Sequence, residues 1–230
     1  MFDRHSGKYY QLEAHRLPSD ILAASCERSS RIKKHHAYWF AGLLCTLLGF
    51  NVLFGFLALS PVFDAAFIVL LATYLIFSIA IHEFAHALAL RLMGRRTDRV
   101  GVKLHYWIFP AFFVRMNQSL LLSRYGKVIV HGAGLFVNLF INGVLILLNF
   151  AVIRSAPLMG SLQFVALTLA FNATPLLKSD GYRIVLALAN TDAAKGFRHN
   201  VWWLNGVHVA SITYAVIYTI YLGGSIVSNL

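Results

Sequence analysis

The sequence predicts an all-α polytopic membrane protein of about five to six transmembrane helices, with a short β-hairpin or re-entrant segment between the second and third spans. Three observations carry that expectation. Of 230 residues, 58% are hydrophobic and only 13% charged, where a soluble domain carries about 25% charged residues. The apolar residues form long runs rather than periodic faces. The cations fall in blocks between those runs, as they do in chains that cross a bilayer.

Residues 1–37 are polar and lack the apolar core of a cleavable signal peptide, so they are expected to form a cytoplasmic N-terminal segment. Residues 38–230 are expected to form one membrane-embedded domain. The first span is Tyr38 to Leu59. The second, Asp64 to Gly94, is longer than one crossing requires. Next comes "RVGVKLHYWIFPAFFVRM", residues 99–116, rich in β-branched and aromatic residues and broken by Pro110. It reads as strands or a re-entrant hairpin at the interface, and it is too short to fold alone. The third span is Val128 to Ile153, the fourth Leu158 to Leu177 and the fifth Val207 to Val227. Cys26 and Cys45 lie far apart, one in a polar segment and one in an apolar run, which argues against a disulfide framework.

The formal charge of +11 raises the question of nucleic acid. Its distribution answers it. Every Lys and Arg except Arg154 lies in residues 1–37, 91–127 or 178–200, all on one side of a five-span arrangement. By the positive-inside rule that side is cytoplasmic, with the N-terminus inside and the C-terminus outside. No nucleic-acid partner is expected, since no basic motif interleaved with aromatics is present. Attraction to anionic lipids fits the same charges.

Most of the nine acidic residues sit in polar stretches. Glu83 and Asp180 lie within or at the edge of apolar spans, where an ionisable group costs about 2.5–3.5 kcal/mol. Glu83 belongs to "HEFAH". On a helix, His82 and His86 are one turn apart on one face and can aim a ring nitrogen at one point, which is half of a tetrahedral zinc site. Glu83, beside the first of them, can take the proton of a water at the open position. Asp180, in "FNATPLLKSDGYRI", is the best third ligand. Pro175 breaks the fourth span before it, and Gly181 frees the backbone after it. The second and fourth spans run in the same direction, so their ends meet near one membrane face. The bland alternatives are a structural polar cluster for the H-E-x-x-H and a helix cap for Asp180, opening "YRIVLALAN".

The pieces together resemble the site-2 protease family of intramembrane zinc metalloproteases. "HEFAH" and "SDG" carry the resemblance, with "GAGLFVN" (132–138) matching a Gly-x-x-x-Asn element through Gly134 and Asn138. "FNATPLLKSDGYR" resembles the family's Asn-x-x-Pro…Asp-Gly segment, in the Asp-Gly-Tyr variant of bacterial peptide zinc metalloproteases. The resemblance covers about residues 38–190. It implies Zn2+ held by His82, His86 and Asp180, with Glu83 as general base. It makes Asn138 and Asn172 candidates for holding the substrate or polarising its carbonyl. It also implies a multi-pass protein of a bacterial or archaeal plasma membrane, with its site in the bilayer toward the cytoplasm. The partner would be a membrane-spanning or membrane-associated polypeptide, cleaved in regulation or in peptide maturation. Ser179 replaces the commoner Leu before Asp-Gly, and the PDZ domain of many relatives is missing, which bears on substrate choice rather than on chemistry. The rival reading is a non-proteolytic metal-binding component of a peptide export or immunity system. Glu83 weighs against it, because a structural metal site needs no base.

Overall fold

The computed structural model describes residues 32–57, 64–105, 109–175, 179–189 and 202–227. The expected N-terminal segment therefore lies almost wholly outside the described residues. Helix α1 is Lys34–Leu57 and α2 is Ala65–Leu92. Strands β1, Arg99–His105, and β2, Phe109–Arg115, follow. A short 3-10 turn, Asn117–Leu121, leads into α3, Arg124–Leu148, which runs on through a π turn, Asn149–Ile153. Helix α4 is Ala156–Ala173, α5 is Asp180–Leu188 and α6 is Trp202–Val227.

Local chemistry sets the ends. Asp64, Ser123, Ser155 and Ser179 each accept a backbone N–H from the first turn of the helix that follows, relieving one of the amides a helix start leaves unpaired. Helix α4 stops at Ala173, and Thr174 is extended at φ −68°, ψ 145°. Pro175 imposes that conformation on the residue before it.

The two strands pair antiparallel from Arg99↔Arg115 to His105↔Phe109. Pro110 was expected to break this segment; instead it is paired within β2, opposite Leu104. Its even-numbered neighbour Val114 directs its N–H away from β1, onto Glu83 of α2. Residues 110, 112 and 114 share that outer edge, so the amide that Pro110 lacks removes no bond of the hairpin.

Helix α3 is the centre of the bundle, packed against α1, α2, α4 and α5. Small buried residues, Gly132, Ala133, Gly134 and Gly143, let its neighbours approach. One apolar cluster joins Leu44, Leu135, Leu139, Val165 and Leu169 from α1, α3 and α4. Beside it runs a buried polar ladder. Asn51 donates to the Leu139 carbonyl (3.0 Å), Asn142 donates to Asn51 Oδ1 (2.8 Å), and the Tyr74 hydroxyl donates to Asn142 Oδ1 (3.1 Å). The outside is apolar: Trp39, Phe77, Phe84 and Phe150 are largely exposed. Polar groups inside and large hydrophobes outside suit a lipid surround.

Among the described residues four helices are long and apolar enough to cross a membrane, the first four long ones. They are compatible with a multi-pass membrane protein. The fifth expected span, 207–227, falls within α6, whose side chains are described only in part.

Candidate metal centre

Three helices supply the site. His82 and His86 project from one face of α2, and Asp180 is the first residue of α5. His82 Nε2 lies 2.7 Å from Asp180 Oδ2, and His86 Nε2 lies 3.4 Å from the same oxygen. The two Nε2 atoms are 3.1 Å apart. Helix α3 forms the floor: a Cβ placed on Gly134 would stand 2.6 Å from His86 Nε2 and 2.7 Å from His82 Nε2. Only glycine fits there.

The groups around the ligands fix their orientation. His86 Nδ1 is 2.6 Å from the Val130 carbonyl oxygen. A carbonyl only accepts, so Nδ1 carries the proton and donates, which leaves the Nε2 lone pair facing His82 and Asp180. Asn172 donates to Asp180 Oδ2 (3.1 Å) and accepts the Asp180 N–H (3.3 Å). Asn138 donates to the carbonyl (3.1 Å) and hydroxyl (2.9 Å) of Ser78, one turn before His82, and lies 3.4 Å from His82 Nδ1. Both asparagines named in the sequence thus stand beside the ligands. His131 is half-buried in α3, and its Nδ1 has no hydrogen-bond partner among the described residues.

The helix-cap alternative for Asp180 has a direct answer. The capping oxygen of α5 is Ser179 Oγ, which accepts the Tyr182 N–H at 3.0 Å. The Asp180 carboxylate is left to face the histidines. Gly181 lets it do so, since a Cβ there would overlap the Ala173 carbonyl at the end of α4.

The donor set fits a metal ion. His82, His86 and Asp180 each offer one ligand atom, all within 4.8 Å of one another. Two imidazoles and one carboxylate make three protein ligands, the number found in catalytic rather than structural zinc sites. On the same turn, Glu83 Oε2 accepts the Val114 N–H at 2.9 Å. It also lines a groove of about 600 Å³ between α2 and the hairpin, walled by Ala80, Phe84, Ala87, Phe112 and Val114. The sequence pointed to Glu83 but held no sign of Val114, because a backbone amide leaves none.

No protein-family model matches the chain, and no solved structure matches it. The chain is 30% identical over 219 residues to a protein of Bacillus subtilis (strain 168) named "Putative peptide zinc metalloprotease protein YydH". The alignment covers 93% of this chain and 86% of that one. With that identity over nearly its whole length, the chain belongs to the same zinc metalloprotease family as this protein.

Proposed function

We propose that the chain is an intramembrane zinc metalloprotease of the site-2 type, hydrolysing peptide bonds of a membrane-embedded or membrane-associated polypeptide. One observation carries the reading: His82 and His86 share one turn of a membrane-length helix with a separate carboxylate, Glu83, beside a groove, and Asp180 of α5 completes a two-histidine, one-carboxylate ligand set with them. His82, His86 and Asp180 hold the zinc. When bound, zinc supplies a Lewis acid and brings the pKa of water toward 7. Glu83 takes a proton from the attacking water and delivers it to the leaving amine nitrogen. The Val114 amide holds the Glu83 carboxylate in place for that work.

A transmembrane helix hides its peptide bonds in its own hydrogen bonds, so the region to be cut must first unwind. The outer edge of β2 offers a substitute. Phe112 lines the groove and shares that edge with Val114, which leaves its N–H and C=O unused by the pairing to β1. An unwound substrate laid there recovers hydrogen bonds by strand addition. Asn138 and Asn172 direct their side-chain amides at Ser78 and Asp180, and those bonds favour a role in orienting His82 and Asp180.

The N-terminus is assigned to the cytoplasm and the site to the cytoplasmic half of the bilayer. His86 and Arg95 are nine residues apart, roughly 13 Å at the helical rise, and Arg95 lies in the basic segment 91–127. The test compares wild type, Glu83→Gln and Asp180→Ala for zinc per chain and for cleavage of co-expressed membrane substrates. Glu83→Gln should keep zinc and lose cleavage by about 100-fold or more; Asp180→Ala should lose both. Wild-type zinc affinity in Asp180→Ala, or unaltered cleavage in Glu83→Gln, refutes the assignment.

A further inference from the structure

The groove beside Glu83 has an end with a different character. Its floor and walls are apolar, but it is also lined by Arg91 and Thr97. Those two residues line a second cavity as well, of about 630 Å³, whose other walls are Gly94, Arg95 and Arg96. The two cavities are neighbours that share Arg91 and Thr97 as a common wall, so a basic basin adjoins the groove beside Glu83. None of Arg91, Arg95 and Arg96 makes an ion pair among the described residues. Asp98, the nearby carboxylate, accepts the Asn117 amide at 2.8 Å. Basic residues at a membrane face are ordinary. Three of them lining the basin beside the groove that holds the proposed base, none in an ion pair among the described residues, form a recognition element.

We propose that this basin is a specificity subsite for an acidic side chain of the substrate, about four residues from the bond that is cut. The inference rests on the proteolytic reading above. The spacing follows from geometry. Glu83 and Arg91 are eight residues apart on α2, about 12 Å along the axis at 1.5 Å per residue. An extended peptide in the groove covers that distance in about four residues at 3.3 Å each. The apolar middle of the groove takes the hydrophobic side chains between. The arginines bind the carboxylate by paired N–H donors and hold the substrate in register.

The experiment presents the full-length protein with a library of membrane-anchored peptides, randomised around a Leu/Ala-rich segment, in nanodiscs of phosphatidylcholine. The cut sites are read by mass spectrometry. Wild type should enrich Asp and Glu roughly fivefold, as for about 1 kcal/mol of an exposed pair, three to five residues from the cut on one side. In Arg91→Glu the preference at that position should turn to Lys and Arg. Arg95→Glu, a second charge reversal, should weaken the acidic preference in the same direction. A wild-type profile without acidic enrichment overturns the subsite, as does an identical profile in the charge-reversed proteins. If the variants differ from wild type only when phosphatidylglycerol is added, the basin holds lipid headgroups and the subsite is wrong. If wild type cuts nothing beyond Glu83→Gln, the proteolytic reading itself fails, and that result is distinct from cleavage without preference.

Discussion

Substituting Gly134 by Ala tests whether α3 is the floor of the metal centre. The added Cβ would stand 2.6 Å from both His82 Cε1 and His86 Nε2, and 2.7 Å from His82 Nε2. Comfortable contact between such atoms is about 3.5 Å, so both rings must retreat by about 1 Å. Zinc–imidazole bonds of about 2.0–2.1 Å tolerate about 0.2 Å, several times less than the retreat. Disturbing groups that merely orient ligands costs about 10–100-fold in affinity. Moving two ligands at once should therefore cost at least about 100-fold, or about 2.8 kcal/mol at 1.4 kcal/mol per tenfold. The fold need not suffer, since Ala in place of a helical Gly is worth up to about 1 kcal/mol. Gly143→Ala in the same helix is the control, because its Cβ makes ordinary contacts with Phe50 (3.4 Å) and Asn51 Nδ2 (3.6 Å) and none with a ligand. Zinc affinity is measured by competition with a chromophoric chelator in detergent, beside thermal melting. Gly134→Ala binding zinc as tightly as Gly143→Ala would refute the steric argument.

Three further outcomes follow from the surrounding bonds. Asn172→Ala removes the donor to Asp180 Oδ2 and the acceptor of its amide; zinc affinity in the same competition should fall about 10–100-fold. Val114→Pro deletes the N–H that holds Glu83 while leaving the pairing to β1 untouched, as Pro110 already does. Cleavage should fall about tenfold through kcat, with zinc per chain unchanged. Asn142→Leu strips partners from Asn51 and Tyr74. It should destabilise the bundle by about 1–3 kcal/mol, read as a lower melting temperature, without altering zinc affinity in the folded fraction.

How much of this was legible depended on where each contact's information resides. The four long helices could be read because their apolar runs are continuous, and the end of α4 because Pro175 follows it. His82, His86 and Glu83 were legible because one helical turn puts them together without help from the rest of the chain. Asp180 was harder. Its neighbour Ser179 and the following Gly181 suit a helix start as well as a ligand. Only the packed structure separates the two, by giving the cap to Ser179. Pro110 was misleading, because which amide of an edge strand is idle depends on register, and register is set by the partner strand. The Val114–Glu83 bond was invisible, since any non-proline residue offers the same amide.

The junction between α4 and α5 explains how one carboxylate can be buried beside two histidines, next to the end of an apolar helix, without destabilising the bundle. Pro175 ends α4, and the start of α5 lies against the carbonyls of Ala173 and Thr174 because Gly181 has no side chain to obstruct it. That places Asp180 at a helix N-terminus, where the partial positive charge of the unpaired amides favours an anion. Asn172, in the last turn of α4, then bonds both its carboxylate and its amide. The cost of the carboxylate, about 2.5–3.5 kcal/mol when unpaired in a span, is thus offset by groups within nine residues of it in sequence. The histidines arrive from a helix 98 residues away in sequence. The protein therefore supports Asp180 locally, and α3, which carries the ring-orienting Val130 carbonyl and the Gly134 floor, sets where the distant ligands meet it. On this view α3 fixes the position of the metal even though it contributes no ligand.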